Sequence, residues 1–260
     1  MLSLEGVAGI PIGLDGFRIV FGDGLPEVTP SVRRLDEMRE VLYNQTATHP
    51  QECYFMYRGV GLPEHKEVVS RRSLRYDVTV IPPGRIGNEY MKTAGHYHPV
   101  DPETGVGFPE VYEVLWGRAH YLLQKRAGRP DVLEDVVVIE AGPGDKVVIP
   151  PGYGHITINP GDEPLVMCNC VETHFASDYA PIREMKGGAY FEVEEDGQGV
   201  FIPNERYART PPPRLVKPLV DGGLGLPEGV PLYACLTSRP ESLDFLVRPG
   251  RHLDALKRLL

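Results

Sequence analysis

The chain lacks a basic surplus. Its 260 residues carry 27 Lys and Arg against 36 Asp and Glu, a formal charge of −9 at pH 7. Binding along a nucleic-acid backbone needs a basic face, so nucleic acid is not an expected partner. A small anion is still admissible, because a locally positive pocket or backbone N–H groups can hold one. Long apolar runs are also missing: no window approaches the roughly 18 residues of a membrane span. The start of the chain, MLSLEGVAGIPIGLDG, has neither the basic lead nor the unbroken apolar stretch of a secretory signal. A cytoplasmic protein without membrane contact is the expectation. Cysteine is scarce, with only Cys53, Cys168, Cys170 and Cys235. Cys168 and Cys170 sit in the strand-like run MCNCV, without the spacing and second pair of a zinc site. Reduced, mostly buried thiols follow.

What is present is ordinary soluble composition, 42% hydrophobic and 24% charged, in a chain long enough for one good core and a smaller appendage. Residues 1–30 are rich in Gly and Pro with short apolar runs, and suggest an arm of one or two strands. In residues 31–43, SVRRLDEMREVLY, Ser31 stands as an N-cap before Leu35, Met38, Val41 and Leu42 at helical spacing, which predicts a short amphipathic helix. A brief strand from Cys53 to Tyr57 follows; His49 and His65 are expected in solvent. From Leu74 the texture is β. Short apolar segments alternate with turn residues such as Gly117-Arg118, Gly128-Arg129-Pro130, Gly142-Pro143-Gly144 and Pro160-Gly161-Asp162-Glu163. That punctuation predicts a sandwich or barrel rather than a βαβ fold. Lys186 to Phe201 adds a strand pair with Asp196-Gly197 at its turn. The expected organisation is a barrel with its arm over residues 1–208. A Pro-rich linker and C-terminal extension follow over 209–260, with a possible strand at Leu232–Leu236 and a terminal helix in RHLDALKRLL. This extension is expected to pack on the barrel or a second subunit.

One stretch carries chemistry. In TAGHYHPVDPETGVGFPEVYEVLWGRAHYLLQ, His96 and His98 are two residues apart, so on a strand both imidazoles project from one face. Glu110 follows a Pro/Gly-rich loop, and His155 lies in PPGYGHITIN after a Pro-Gly turn. Three neutral imidazoles and a carboxylate suit a divalent first-row ion and leave positions open for substrate or water.

These motifs resemble the cupins. Gly144, Pro150, Gly152, His155 and Asn159 match the second cupin half, G-x5-P-x-G-x2-H-x3-N, at all five positions. In the first half, Glu110 stands six intervening residues before Gly117, which sets it apart from Glu103 and Glu113. The loop from His98 to Glu110 is longer than the pattern. The resemblance implies an all-β cupin double-stranded β-helix, or jelly roll, with short helices and an N-terminal strand arm. The elements TVIPPGRIGNEY, T-x-G-H-x-H, EVYEVLWGRAHYLLQ and P-P-x-x-x-H-x-x-x-N are similar, over residues 30–205, to the archaeal-type, metal-dependent glucose-6-phosphate isomerases.

That resemblance implies one divalent ion per subunit on His96, His98, Glu110 and His155. Fe2+ is the first expectation, with Zn2+, Mn2+, Ni2+ or Co2+ as others. It implies sugar-phosphate contacts at Thr79, Thr93, Gly95 and Tyr54, with Tyr57 an alternative, and substrate-facing Tyr112 and Tyr179. It also implies a homodimer. The family commonly has H-D-Y where this chain has Ser177-Asp178-Tyr179, and His174 is the nearest substitute. Aldose–ketose isomerisation moves hydrogen between C1 and C2. A carboxylate could carry it as a proton through a cis-enediol, or a Lewis-acidic ion could permit a direct hydride shift. Glu110 is the candidate base as well as ligand, with Tyr112 beside it; ligand alone is the other role for Glu110. Two alternatives accompany the isomerase: a cupin dioxygenase acting on a small organic substrate, and a non-catalytic sugar-phosphate-binding cupin.

Overall fold

The computed structural model describes residues 1–219 and 223–260. The described residues form four sheets, and the two that carry the site are built by alternation of side chains. The larger contains β1 (Ser31–Arg34), β2 (Glu52–Arg58), β3 (Leu74–Ile81), β4 (Glu110–Trp116), β7 (Lys146–Ile149) and β9 (Leu165–Glu172), in the order β7-β4-β9-β3-β2-β1. The smaller contains β5 (Ala119–Ala127), β6 (Arg129–Ala141), β8 (Tyr153–Ile158) and β10 (Arg214–Val216), in the order β8-β5-β6-β10. Pairing is antiparallel except between β6 and β10. The inner faces meet through aromatic side chains. Tyr121 on β5 lies 5.3 Å, centroid to centroid, from Tyr112 on β4 and donates its hydroxyl to Met167 Sδ on β9 at 3.5 Å. This is the expected all-β jelly roll.

On β3, Leu74, Tyr76, Val78 and Val80 join one apolar cluster, while Arg75, Asp77 and Thr79 face the space between the sheets. The same period of two operates on β9, where Cys168 and Cys170 turn outward and Met167 and Asn169 inward. All four cysteines are free and buried. The outward face is covered from both ends of the chain. Leu4, Ile10 and Ile12 reach it from the three-stranded N-terminal arm, and Tyr233, Leu236 and Phe245 from the C-terminal segment. A buried ion pair lies beneath that cover. Glu113 on β4 faces Lys146 on β7 at 2.8 Å, and the backbone N–H of Leu232 donates to the same carboxylate at 2.7 Å.

Several local expectations change. Ser31 does not cap a helix: Ser31–Arg34 is an edge strand paired with β2, and a single helical turn, Leu35–Met38, follows. Leu35, Met38, Val41 and Leu42 are all buried as expected, but sheet pairing takes the first four residues of the segment. Leu232–Ser238 is a helix, not a strand. The linker runs directly into β10, which adds to the edge of the smaller sheet through parallel pairing with Val137–Ile139. His65 is half-buried with its Nδ1 3.0 Å from the Tyr233 hydroxyl, so it is not a free surface residue. The terminal helix is one turn, Leu253–Leu256. The expected 209–260 extension includes residues 220–222, which lie outside the described residues. Among the described residues no helix is long and apolar enough to cross a membrane.

Removing one partner of a buried ion pair leaves an uncompensated charge and costs about 3–5 kcal/mol. Lys146→Met is therefore expected to lower the unfolding free energy in urea by that amount. The double variant Lys146→Met/Glu113→Leu should recover much of the loss. Equal destabilisation by the single and double changes would contradict the pairing.

Candidate metal centre

The site forms where the two sheets supply opposite walls. From the larger sheet, Glu110 and Tyr112 at the start of β4 point inward. From the smaller, β8 supplies His155, and the chain from Lys92 to Tyr97 runs antiparallel beside it. Thr93 N–H donates to Thr157 O at 2.8 Å, His96 N–H to His155 O at 3.2 Å, and His155 N–H to His96 O at 3.0 Å. His96 and His155 thus stand directly opposite across a ladder, with ring centroids 4.4 Å apart, and His98 is two residues further along. The approach is close at Gly95. Its φ is +76°, and a Cβ there would sit 2.3 Å from Ile156 Cγ1, so only glycine fits.

Glu110 Oε2 lies 3.3 Å from His98 Nε2, 3.2 Å from His155 Nε2 and 4.0 Å from His96 Nε2. The Nε2 atoms of His96 and His98 are 3.1 Å apart. The four candidate ligand atoms all lie within 4.8 Å of one another. Burial, then the neighbouring imidazoles of His155 and His98, push His96 well below the ordinary histidine range; burial also lowers His155. These rings are therefore neutral. Burial alone would raise the Glu110 carboxyl, but its close contacts with the His155 and His98 rings outweigh that and hold it well below the usual carboxylate range. His98 Nδ1 lies 3.0 Å from the Phe108 carbonyl, and a neutral ring donating there leaves the Nε2 lone pair facing Glu110 and His96. Lone pairs and a carboxylate converging in a buried space are mutually repulsive unless a cation lies among them. The donor set fits a divalent ion.

Two further groups orient the carboxylate. Tyr112 Oη donates to Glu110 Oε2 at 3.0 Å and lies 3.2 Å from His155 Nε2; Asn169 Nδ2 donates to Glu110 Oε1 at 2.6 Å. Oε2 is thereby directed at the imidazoles and Oε1 away from them. The alternative carboxylates lie elsewhere, Glu103 on the outer loop and Glu113 on the far face of β4 with Lys146.

The centre opens into a cavity of about 340 Å³ lined by Tyr54, Thr79, Thr93, Gly95, Tyr112 and Tyr179, among others. Tyr57, being three residues from Tyr54 on the same strand, faces the opposite side and accepts from Ile19 N–H. The Tyr54 hydroxyl accepts from Ala94 N–H at 3.3 Å and Arg33 Nε at 3.2 Å. The Thr93 hydroxyl accepts from Thr157 N–H at 2.9 Å. Tyr179 packs beside His96, ring centroids 5.3 Å apart. Ser177 lines the cavity, but His174 does not: its ring pairs with Glu172 and its side chain is 75% exposed. The long loop after His98 instead contributes Phe108, which stacks on Phe175, and Phe175 lies against His98. Sequence reasoning missed Asn169 and the charged wall of Arg58, Arg75 and Asp77. The signal for Asn169 was available, as the polar residue between two cysteines on a strand with period two.

A profile of the family described as Glucose-6-phosphate isomerase (GPI) matches residues 33–209. The chain is 32% identical over 203 residues to a glucose-6-phosphate isomerase of Thermococcus kodakarensis, covering 76% of this chain and 96% of that one. It is 32% identical over 195 residues to the Thermococcus litoralis protein of the same name, covering 74% and 95%. Among solved structures, an oxalate decarboxylase of Lactobacillus farciminis in complex with formate matches at a TM-score of 0.35 with 21% identity. That match covers 50% of this chain and 32% of that one.

Loss of an outer hydrogen bond to a metal ligand typically costs 10–100-fold in metal affinity. Asn169→Ala is expected to weaken divalent-ion binding by roughly that factor, measured by competition with a chelating dye. An unchanged affinity would remove Asn169 from the site's support.

Proposed function

The chain belongs to the glucose-6-phosphate isomerase family, and from that premise we propose how its cavity interconverts glucose 6-phosphate and fructose 6-phosphate. The observation that carries the proposal is the convergence of His96, His98, Glu110 and His155 on one point at the end of a cavity of sugar-phosphate size. Those four residues hold one divalent ion, with Fe2+ the first candidate among first-row metals. When bound, the ion supplies Lewis acidity that polarises the sugar carbonyl and makes the C2 hydrogen acidic.

Protein groups do the rest. Thr79, Thr93, Gly95 and Tyr54 offer hydroxyl and backbone donors for the phosphate end of the sugar, and Tyr179 closes the wall beside His96. Glu110 is ionised, as a base must be, and Oε1 keeps a lone pair beyond the one that Asn169 uses. From that oxygen it takes the C2 proton and returns it to C1 through a cis-enediol, while the hydroxyl proton passes from O2 to O1 of the sugar. The donors that hold the carboxylate low make it a weak base, so transfer depends on carbonyl polarisation. Tyr112, which donates to Glu110 and lies beside His155, holds the carboxylate in place as charge moves onto the sugar oxygens.

Family membership and the hydroxyl-rich wall support the isomerase over a dioxygenase or a passive binding protein. The four free, buried cysteines support a reducing, cytoplasmic setting. Exposed Phe17 and Val20 on the N-terminal hairpin support a homodimer through the arm. Residues 1–208 constitute the catalytic unit, and the 209–260 extension adds β10 to the smaller sheet and covers the outer face of the larger one.

Fructose 6-phosphate turnover is expected to vanish after chelation and to return with Fe2+ or another single divalent ion. No turnover by the metal-loaded chain would sink the proposal, and oxygen uptake in its place would point to the dioxygenase. In deuterated water the Glu110 route predicts solvent deuterium in the product; complete retention of the substrate hydrogen would instead indicate hydride transfer. Tyr112→Phe should lower kcat by on the order of 10²-fold.

A further inference from the structure

The cavity wall formed by β2 and β3 carries three charged side chains. On β2, Tyr54, Met56 and Arg58 face inward; on β3, Arg75, Asp77 and Thr79 do. The register places Met56 opposite Thr79 and Arg58 opposite Asp77. Asp77 is not available to Arg58. Its carboxylate takes three bonds of 2.8–3.0 Å from Arg75 and a fourth, at 2.8 Å, from Gly59 N–H. Arg75 and Asp77 therefore cancel. Among the described residues Arg58 has no acidic partner, and its contact is Met56 Sδ at 3.9 Å. An unpaired guanidinium facing a concave site is unusual in a chain of net charge −9.

We propose that Arg58 is the specificity-determining cation of the cavity, which pairs with the phosphate group of the sugar substrate. This rests on the isomerase function above and extends it, because the hydroxyl and backbone donors discussed so far are neutral. Diagonal neighbours on adjacent strands have Cβ atoms about 7–8 Å apart, within reach of a long side chain. Arg58 and Thr79 are such neighbours, so the guanidinium reaches the wall that offers the Thr79 hydroxyl. A planar guanidinium meets two phosphate oxygens at once, which a lysine ammonium cannot do. Arg58 is exposed in the free protein, so its charge is solvated until a phosphate displaces the water.

The test uses the metal-loaded full chain. Arg58→Gln is expected to raise KM for fructose 6-phosphate roughly tenfold or more, the scale of a hydrogen bond to a charged group. Its kcat should stay near that of the unaltered chain, and Arg58→Lys should recover only part of the loss. The fall of kcat/KM with added salt should be steeper for the unaltered chain than for Arg58→Gln. Inorganic phosphate binding, followed by calorimetry, should weaken in parallel. An unchanged KM and unchanged phosphate affinity in Arg58→Gln would overturn the proposal, as would a loss confined to kcat. If the unaltered chain turns nothing over but binds phosphate through Arg58, the isomerase function fails while the anion site stands.

Discussion

A carboxylate is buried among three imidazoles. Glu110 is 3% exposed, and its nearest side chains are three imidazoles, a tyrosine hydroxyl and an asparagine amide. An ionised group in that position is costly unless it is paired. The lowered range of His96 and His155 means that these two rings do not supply the pairing charge. His96, His98, Glu110 and His155 form a group that could hold a cation, which would supply that charge. His98 is fixed in one tautomer by the Phe108 carbonyl. Asn169 turns the second carboxylate oxygen away from the imidazoles.

The sheets convert this local constraint into a position. Glu110 needs a strand that turns its side chain inward at its first residue, and β4 does so between β7 and β9. His96 and His155 need backbones close enough for a ladder, which Gly95 permits by having no Cβ. The opposite face of β4 carries Glu113, anchored by Lys146 and by the start of the Leu232–Ser238 helix. Rigidity behind the site thus comes from the C-terminal segment, which packs on the outer face of the same sheet. The inner face is free to be polar because the outer face carries the apolar burial.

Much of the site was legible because its chemistry is local in sequence. Two histidines at a spacing of two, and a Pro-Gly turn before a third, give strand geometry directly. The spacing of Glu110 to Gly117 separated it from Glu103 and Glu113, and the structure places those two elsewhere. What could not be read was set by partners distant in the chain. Ser31–Arg34 has helical neighbours but an open edge of β2 to pair with, and tertiary pairing prevails over propensity. Leu232–Leu236 alternates weakly enough to suit either element, and packing on β4 and β9 makes it a helix. The charged wall was also out of reach: Arg58 stands opposite Asp77 across two strands, but Arg75 on the same strand takes the aspartate.

The central claim is that one divalent ion is held by His96, His98, Glu110 and His155. Its most direct test is calorimetric titration of the metal-free chain with Mn2+ or Fe2+ under anaerobic conditions, alongside Glu110→Gln. The account predicts one ion per chain, and binding weakened by orders of magnitude when the carboxylate becomes an amide. Full-affinity binding by Glu110→Gln, or no stoichiometric binding by the unaltered chain, would contradict it.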